Sequence, residues 1–495
     1  MGVEDNELVE HRLEKLNMLR QRGADPFAIE RYERTHTAQE VISGFDELEG
    51  KEVSVAGRIV SLRPMGKASF AHIQDPSGKV QIYIKSDVVG ADAYALVDAL
   101  DIGDIIGVRG NVEKTKTGEI TVFVTFFQIL AKSLRPIPIG KQKGEQEWYG
   151  LQDVEQRYRQ RYLDLIVNPK VRETMIKRSR IIQAVREFLD QEGFMEVETP
   201  VLQAVAGGAA ARPFLTYYNA LDHDFYLRIS LELHLKRLIV GGFEKVYEMS
   251  RVFRNEGLST KHNPEYTLLE LYQAYTNLEG MMDLVERLFC FVCRKLYGGL
   301  TFTFQGRTID LTPPWKRLPL LEGIRQHANV EAQEFRTLET AKQAGDRLGL
   351  PMEQEHTIGG IVDKIHERFV QPNLNEPTFV TDYPVDVSPL AKKDPDNPSL
   401  TRRFEPYVGM LELGNAFSEI NDPIDQRERF VAQAKMRAAG DEEAHPMDED
   451  FLRALEYGMP PTGGLGIGID RMVMLFTDAP SIRDVILFPQ LKPEK

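Results

Sequence analysis

The stretch FEKVYEMSRVFRNEGLSTKHNPEYTLLELYQAY, residues 243–275, predicts the element around which the chain is arranged. Side chains alternate along two runs, Val246 to Arg254 and Thr267 to Tyr275, as they do in β-strands. The loop between the runs is rich in Asn, Gly, Ser and Pro, which favour turns. We therefore predict an antiparallel hairpin with a long charged tip, and tips of this length are more often functional than spacers.

The polar residues of the hairpin have the chemistry of a nucleotide site. Arg254 ends the first strand, Glu256 and His262 lie in the loop, and Tyr266 and Glu270 open the return strand. A guanidinium group matches phosphate oxygens, an aromatic ring can lie on a base, and a carboxylate can hold an amine. Any one of these residues fits an ordinary surface hairpin with scattered ion pairs, whereas the whole set in this order favours a binding site.

Three motifs carry a resemblance to a known family. The order F-R-N-E, loop, H-x-x-x-Y-x-x-x-E resembles motif 2 of the class II aminoacyl-tRNA synthetases, and its flanks are similar to the lysyl branch. GLGIGIDR, residues 464–471, resembles motif 3, and the helix before FMEVETP, with Gly193 as its stop, resembles motif 1, which builds the family's dimer interface. The resemblance runs from about residue 51 to the C-terminus and implies a homodimer.

The region before these motifs predicts a small barrel. Short alternating runs between residues 51 and 135, separated by Gly, Asp and Ser, indicate about five strands with one helix from Ala91 to Leu100. This pattern is typical of an OB-type barrel, which binds nucleic acids. The resemblance implies that Arg58, Phe70 and Gln81 contact the anticodon. The family often has a glutamate near the last strand, where this chain has Phe126.

The fold class that follows is α+β. An N-terminal OB-type barrel is followed by a class II catalytic domain, built on an antiparallel sheet with helices and a helical insertion. The predicted bounds are 1–50 for an N-terminal helix and lead-in, 51–140 for the anticodon-binding barrel, 141–165 for a linker and 166–495 for the catalytic domain, with the insertion at about 320–372.

The resemblance implies how ATP is held. Arg254 and Arg471 are the expected catalytic residues, which would contact the α- and γ-phosphates. Two carboxylates, Glu405 and Glu412, would hold Mg²⁺ shared with the phosphates, since Mg²⁺ takes few protein carboxylates. The family shows Gly-Gly-Arg before the second of these, where this chain has Gly409-Met410-Leu411. The ATP-binding set is completed by Glu256, His262, Asn263, Tyr266 and Glu412.

A second group of residues suits a substrate with a long ammonium side chain. Asn415, Phe417 and Glu419 are spaced i, i+2, i+4, so one strand face presents an amide, a ring and a carboxylate. A carboxylate can pair with the ammonium group while the ring lies on the methylenes. The resemblance adds Gly208, Glu232, Glu270 and Tyr272 to this lysine-binding set. It thus implies an ATP-dependent ligase that forms lysyl-adenylate, releases pyrophosphate and later AMP, and esterifies the 3′ end of the lysine tRNA.

Composition agrees with this interpretation. The net charge of −14 argues against a chain that coats nucleic acid non-specifically. Its only two cysteines, Cys290 and Cys293, lie on an apolar helical face and suit a reducing compartment, and the acidic N-terminus is unlike a secretory signal, so we expect a cytoplasmic protein. No apolar run reaches about 18 residues, so no membrane partner is expected.

Three alternatives stay open at this point. An aspartyl- or asparaginyl-tRNA synthetase shares the barrel and the core, but its pocket should offer cationic or amide groups. An enzyme that lysylates a translation factor lacks the barrel. A non-catalytic RNA-binding protein on the same fold should have eroded motifs, yet Arg254, Glu256, His262, Glu270 and Arg471 are all present.

Overall fold

The computed structural model describes residues 3–139, 141–143, 146–148, 150–353, 355–440 and 443–494. The chain divides into two compact units, residues 1–157 with 162–167 and residues 158–161 with 168–495. The domain bounds given above stay predictions. Residues 1–2 of the predicted lead-in and residues 140, 144–145 and 149, at the end of the predicted barrel domain and in the linker, lie outside the described residues.

The first unit contains a closed five-stranded barrel, which confirms the predicted barrel. Strands pair in the order β1-β2-β3-β5-β4, and alternate side chains, such as those of Val53 and Val55, fill its core. The strands are β1 (Glu52–Met65), β2 (Ala68–Gln74), β3 (Lys79–Lys85), β4 (Ile105–Lys114) and β5 (Ile120–Ala131). The helices are α1 (Val3–Gln21), α2 (Ala38–Ser43), α3 (Phe45–Leu48), α4 (Ser86–Val89) and α5 (Ala91–Tyr94).

The single helix predicted from Ala91 to Leu100 is wrong. The chain instead makes α5 and a separate 3₁₀ turn, Val97–Ala99. The hydroxyl of Tyr94 donates to the carbonyl oxygen of Gly66 at 2.9 Å, and the side chains of Val97 and Leu100 are buried in the barrel core. Burying these side chains so soon after α5 ends the helix early.

Short elements follow the barrel and lead into the second unit. They are β6 (Lys141–Lys143), β7 (Gln146–Trp148), α6 (Val154–Arg159), α7 (Arg161–Val167) and α8 (Pro169–Gln191). The 23-residue helix α8 starts with a proline at its first position, where no backbone N–H is needed, and Gly193 follows its end with φ +79°. This is the helix of predicted motif 1, and β8 (Met195–Glu196) continues it into the main sheet.

The second unit is built on a nine-stranded sheet in the order β16-β17-β18-β20-β21-β13-β12-β8, with β19 paired to β18. Its inner pairs are antiparallel, as predicted, and the two outermost pairs are parallel. The remaining strands are β9 (Leu202–Gln203), β10 (Leu215–Tyr218), β11 (His223–Leu227), β12 (Lys245–Phe253), β13 (Glu265–Ala274), β14 (Thr301–Phe304), β15 (Arg307–Asp310), β16 (Lys316–Pro319), β17 (Thr378–Thr381), β18 (Arg403–Val408), β19 (Leu411–Glu412), β20 (Gly414–Ser418) and β21 (Thr462–Gly468).

The two faces of this sheet belong to different apolar clusters. The predicted hairpin is confirmed as β12 and β13, with Glu248 opposite Glu270. On one face, Leu269 and Leu271 join the large core with the long helices, whereas Leu268 and Tyr272 face the other side. The helices are α9 (Glu232–Val240), α10 (Leu278–Tyr297), α11 (Leu320–Ala328), α12 (Leu338–Arg347), α13 (Ile358–Ile365), α14 (Pro423–Ala438), α15 (Glu449–Glu456), α16 (Ile469–Thr477) and α17 (Ile482–Val485).

The predicted insertion at about 320–372 is helical. Helices α11, α12 and α13 and the turn from His366 to Val370 share an apolar cluster with Val380 and Tyr407 of the sheet. Among the helices that the structure describes, none is long and apolar enough to cross a membrane.

Candidate active site

A cavity of about 440 Å³ opens beside the face of the sheet that carries Leu268 and Tyr272. It brings together every site residue predicted outside the barrel. These residues are Gly208, Glu232, Arg254, Glu256, His262, Asn263, Tyr266, Glu270, Tyr272, Glu405, Glu412, Asn415, Phe417, Glu419 and Arg471. Their roles are not assigned by this placement, but residues separated by more than 260 positions in the chain now line one space.

One end of the cavity is cationic and aromatic. Arg254 follows β12, and its Cζ lies 5.4 Å from the ring centre of Tyr266 while its Nε donates to the Ile229 carbonyl at 3.3 Å. Burial raises the pKa of Tyr266, and the charges of Arg254 and Arg471 act in the opposite direction. Both guanidinium groups therefore lie near this ring, which suits an aromatic base linked to phosphates.

The loop of the hairpin forms the rim at this end. Asn263 is buried, and its Nδ2 donates to the Glu265 carbonyl at 2.6 Å while its Oδ1 accepts from the N–H of Gln490 at 3.2 Å. Its amide thus braces the loop against the C-terminal segment. Glu256 and His262 are exposed at the mouth, and Nδ1 of the histidine is 3.0 Å from the Ser259 hydroxyl.

The opposite end is acidic and buried. Glu232, the first residue of α9, and Glu270, on β13, are both almost inaccessible to solvent. Glu270 accepts hydrogen bonds from the Ser230 hydroxyl at 2.9 Å and from the Leu231 N–H at 3.2 Å. Burial, and then the negative charge of Glu232, raise the pKa of Glu270 to about 7. A cation from a ligand would stabilise these carboxylates in their charged form.

Glu419 lies at the bottom of the acidic end, directly after β20, and is fully buried. It forms an ion pair with Lys236, and among the described residues no other group donates a hydrogen bond to its oxygens. Nζ of Lys236 also lies 2.5 Å from Oε1 of Glu232. Lys236 was not among the predicted site residues, although a glutamate four residues before a lysine on one helix is a signal for the Glu232–Lys236 pair.

Two glycines let the backbone approach these side chains. A Cβ atom at Gly464 on β21 would collide with Oε1 of Glu419 and lie 2.6 Å from the Tyr272 ring. Gly208 has φ +90°, and a Cβ there would lie 2.8 Å from the hydroxyl of Ser230. Both positions therefore need glycine to keep the acidic end open.

Asn415 and Glu405 are held by Arg403, which the sequence analysis also missed. Nε of Arg403 donates to Oδ1 of Asn415 at 2.9 Å, and Nη2 to Oε1 of Glu405 at 2.7 Å. The hydroxyls of Tyr383 and Tyr407 donate to Oε2 of Glu405 at 2.8 and 2.7 Å. The side chain of Asn415 is thus turned toward a protein partner as well as toward the cavity.

The two predicted metal ligands are neighbours. Glu412 opposes Tyr407 in the β18–β19 pair, and its Oε2 lies 3.1 Å from Nη1 of Arg471. Burial and then the charge of Glu412 raise the pKa of Glu405, so the two carboxylates repel each other. No group of three metal-binding side chains occurs in the part of the chain that the structure describes. Both oxygens of Glu405 accept hydrogen bonds from protein groups, so the metal role of the pair stays a prediction.

The tight turn before Glu412 contains the departure from the family pattern, and nothing in the structure explains Met410 there. Gly409 and Met410 have φ angles of +59° and +67° in the connection between β18 and β19. A non-glycine residue is uncommon in this conformation. Leu411 stands where the family has arginine, and it packs against the large core of the sheet.

The barrel has its own pocket of about 500 Å³, which includes Phe70 and Gln81. Arg58 is not among the residues that line it, and its Nη1 donates to the Gly103 carbonyl at 2.7 Å. Its anticodon contact stays a prediction.

A glutamate that was not among the predicted site residues, Glu119, lies one residue before β5 and lines the barrel pocket. It accepts from Nε2 of Gln81 at 2.6 Å and lies 2.8 Å from Nε2 of His72. Phe126 lies elsewhere, 44% exposed, with Arg109 over its ring.

Known protein families match both the barrel and the second part of the chain. Residues 153–492 match the model of the family "tRNA synthetases class II (D, K and N)", and residues 53–130 match "OB-fold nucleic acid binding domain". The second match confirms that the barrel is of the OB type.

Curated relatives cover nearly the whole chain. A "Lysine--tRNA ligase" of Carboxydothermus hydrogenoformans is 58% identical over 99% of this chain and 98% of its own length. The "Lysine--tRNA ligase" of Thermoanaerobacter pseudethanolicus is 57% identical over 99% and 97%, and that of Bacillus subtilis 52% identical over 98% and 97%. The chain therefore belongs to the lysine–tRNA ligase family of the class II tRNA synthetases.

Proposed function

We propose that the chain activates L-lysine with ATP to lysyl-adenylate and transfers the lysyl group to the 3′ end of the lysine tRNA. The observation that carries this proposal is the polarity of the cavity, with Arg254 and Arg471 at one end and the buried carboxylates of Glu232, Glu270 and Glu419 at the other. A ligand that fits has phosphate at one end and two ammonium groups at the other.

The acidic end favours lysine over the related amino acids. Free lysine carries two ammonium groups, and in this proposal Glu270 pairs with the α-ammonium while Glu419 pairs with the side-chain ammonium. The rings of Tyr272 and Phe417 flank the methylenes. Aspartate and asparagine bring an α-ammonium for Glu270 but no side-chain ammonium for Glu419, and the side-chain carboxylate of aspartate would be buried beside negative charges, at a cost of several kcal/mol.

The two arginines act on the phosphates. The substrate carboxylate attacks the α-phosphate, pyrophosphate leaves, and Arg254 and Arg471 stabilise the charge that develops on the phosphate oxygens. Mg²⁺, held by Glu405 and Glu412, would neutralise phosphate charge when bound. Glu412 already contacts Arg471 and positions this guanidinium group. The adenylate then esterifies a terminal ribose hydroxyl of the tRNA.

The barrel is proposed to read the anticodon. Phe70 offers a stacking surface, and Gln81 with Glu119 offers an amide and a carboxylate to a base edge. In our proposal the enzyme works in the cytoplasm and is a homodimer. The homodimer rests on the likeness of α8 and β8 to motif 1.

Charging of tRNA tests the proposal. The purified chain is incubated with ATP, Mg²⁺, labelled lysine and total tRNA, and acid-precipitable label is counted. We expect an alkali-labile lysyl ester, and none when the terminal diol of the tRNA has been oxidised with periodate. Label that survives alkali, or charging of intact and oxidised tRNA alike, would contradict the proposed transfer.

A further inference from the structure

Lys236 places a protein ammonium group among the residues proposed to bind the substrate ammonium. Its side chain is fully buried, and its Nζ pairs with Glu232 at 2.5 Å and with Glu419. Nζ also lies 5.5 Å from the ring centre of Phe417 and 6.0 Å from that of Tyr272. The acidic end of the cavity therefore has a protein ammonium group paired with its carboxylates before a substrate arrives.

Lys236 makes the number of ammonium groups at this end equal to the number of buried carboxylates that face it. Three buried carboxylates, Glu232, Glu270 and Glu419, face the cavity, and free lysine brings two ammonium groups. Lys236 supplies the third positive charge. Without it, one buried carboxylate would lack a partner and would take up a proton, because a buried unpaired charge costs several kcal/mol.

We propose that Lys236 is a positioning residue that holds Glu232 and Glu419 in place and favours their ionised form before the substrate binds, an inference that rests on the proposed function. The substrate ammonium then enters a pocket in which Glu232 and Glu419 already point at a cation. Glu419 has room for this second partner, since among the described residues only Lys236 pairs with it. The lysine of the enzyme and the lysine of the substrate share one carboxylate.

The neighbouring charges support this role. The pKa of Glu419 stays well above its usual range because burial, and the charges of Glu232 and Glu270, raise it; the ammonium of Lys236 acts against this rise without cancelling it. Burial, and then Lys236, lower the pKa of His445 to about 4, so this ring is neutral near pH 7 and does not replace the lysine. The charged and titratable groups that face the pair are Glu232 on α9, Glu270 and Tyr272 on β13, Arg403 on β18, Glu419 after β20 and His445 before α15.

The test is the pH dependence of the lysine KM in Lys236→Met, measured by ATP–pyrophosphate exchange. The ratio of the variant KM to the wild-type KM is followed from pH 7 to 9, since titration of the substrate and of Glu270 cancels in this ratio. We expect a ratio of about 10 or more at pH 7, because each unit by which a carboxylate pKa rises above the pH lowers its ionised fraction roughly tenfold. The ratio should fall as the pH rises and the carboxylates ionise, while the KM for ATP stays unchanged.

Two further variants keep the result decisive. Lys132→Met removes another fully buried lysine, which pairs with Asp101 and Asp104 in the barrel, and should leave the lysine KM unchanged at every pH. Lys236→Met combined with Glu232→Gln removes both members of the ion pair, and this double variant replaces the single variant if that one does not fold. Its lysine KM ratio should also fall as the pH rises, because Glu419 has lost its counter-ion.

A KM ratio that does not change with pH, an equal rise in the KM for ATP, or the same effect in Lys132→Met would overturn the positioning role. Absence of lysine-dependent exchange in the wild-type chain would instead contradict the proposed function, so the two failures are distinguishable.

Discussion

The Ser230 hydroxyl donates a 2.9 Å hydrogen bond to Oε1 of Glu270, and the Leu231 N–H donates to the same oxygen at 3.2 Å. These donors fix a carboxylate that burial and the charge of Glu232 would otherwise keep protonated, and the pKa of Glu270 is nevertheless raised to about 7. The charge state of this side chain therefore changes close to neutral pH.

The first prediction is a pH dependence of lysine use. Since the ionised form of Glu270 is the one proposed to bind the α-ammonium, kcat/KM for lysine should fall as the pH drops below about 7. The measurement is ATP–pyrophosphate exchange between pH 5.5 and 8.5. In Glu270→Gln the inflection should disappear along with most of the activity, and an unchanged inflection would assign it to another group.

The same shift predicts an opposite trend in stability. The folded-state pKa of Glu270 lies above its ordinary value of 4.5, so its contribution to the free energy of unfolding is complete below about pH 4.5 and is lost as the pH rises through about 7. Urea unfolding of the second unit is compared between wild type and Glu270→Gln. The free energy of unfolding of the wild type minus that of the variant should fall as the pH rises. A difference that is constant from pH 5 to 8 would contradict the assigned shift.

Removing Arg254 should affect the chemical step. We expect Arg254→Ala to lower kcat for exchange by roughly 10²-fold or more. In other enzymes, removal of one donor that stabilises the transition state has an effect of this size. The matched control is Arg251→Ala, an exposed arginine three residues earlier in β12. A near-normal kcat in Arg254→Ala, or an equal loss in the control, would remove Arg254 from the catalytic residues.

Neutralising Glu419 should weaken lysine binding. Glu419→Gln leaves the substrate ammonium in a buried pocket without its carboxylate, at a cost of about 3 kcal/mol, while the KM for ATP should hardly change. Glu449→Gln, on the exposed first turn of α15, serves as the control. Isothermal titration with lysine measures the difference, and wild-type affinity in Glu419→Gln would rule out the proposed contact.

The proposed role of the barrel pocket predicts that a variant there binds tRNA more weakly but still activates lysine normally. Phe70→Ala should raise the KM for tRNA in aminoacylation by about 5- to 150-fold, which corresponds to about 1–3 kcal/mol for one stacked base. Exchange without tRNA should be unaffected. Phe126→Ala, outside this pocket, should leave both assays unchanged. If both variants lose tRNA affinity equally, the pocket is not the anticodon site.

Local patterns predicted the framework well. The alternation on both sides of the loop defined β12 and β13 almost to the residue, because strand faces are set by neighbours in the sequence. The spacing of Asn415, Phe417 and Glu419 likewise placed all three on one cavity. Motif resemblance supplied the residues whose positions no periodicity predicts, such as Arg471.

The missed features depend on contacts that are distant in the chain. Lys236 pairs with Glu419, 183 positions later, and nothing near either residue indicates that contact. Glu119 was overlooked because the turn before β5, not the strand itself, brings its carboxylate to Gln81. The predicted helix from Ala91 to Leu100 failed for a similar reason, since burial in the barrel core overrode local propensity.

The most direct test of the proposed activity is ATP–pyrophosphate exchange by the purified chain with each amino acid in turn and without tRNA. The buried carboxylates predict exchange with lysine and none with aspartate or asparagine. Exchange with aspartate or asparagine in place of lysine, or no exchange with any amino acid by the folded protein, would contradict the account of this cavity.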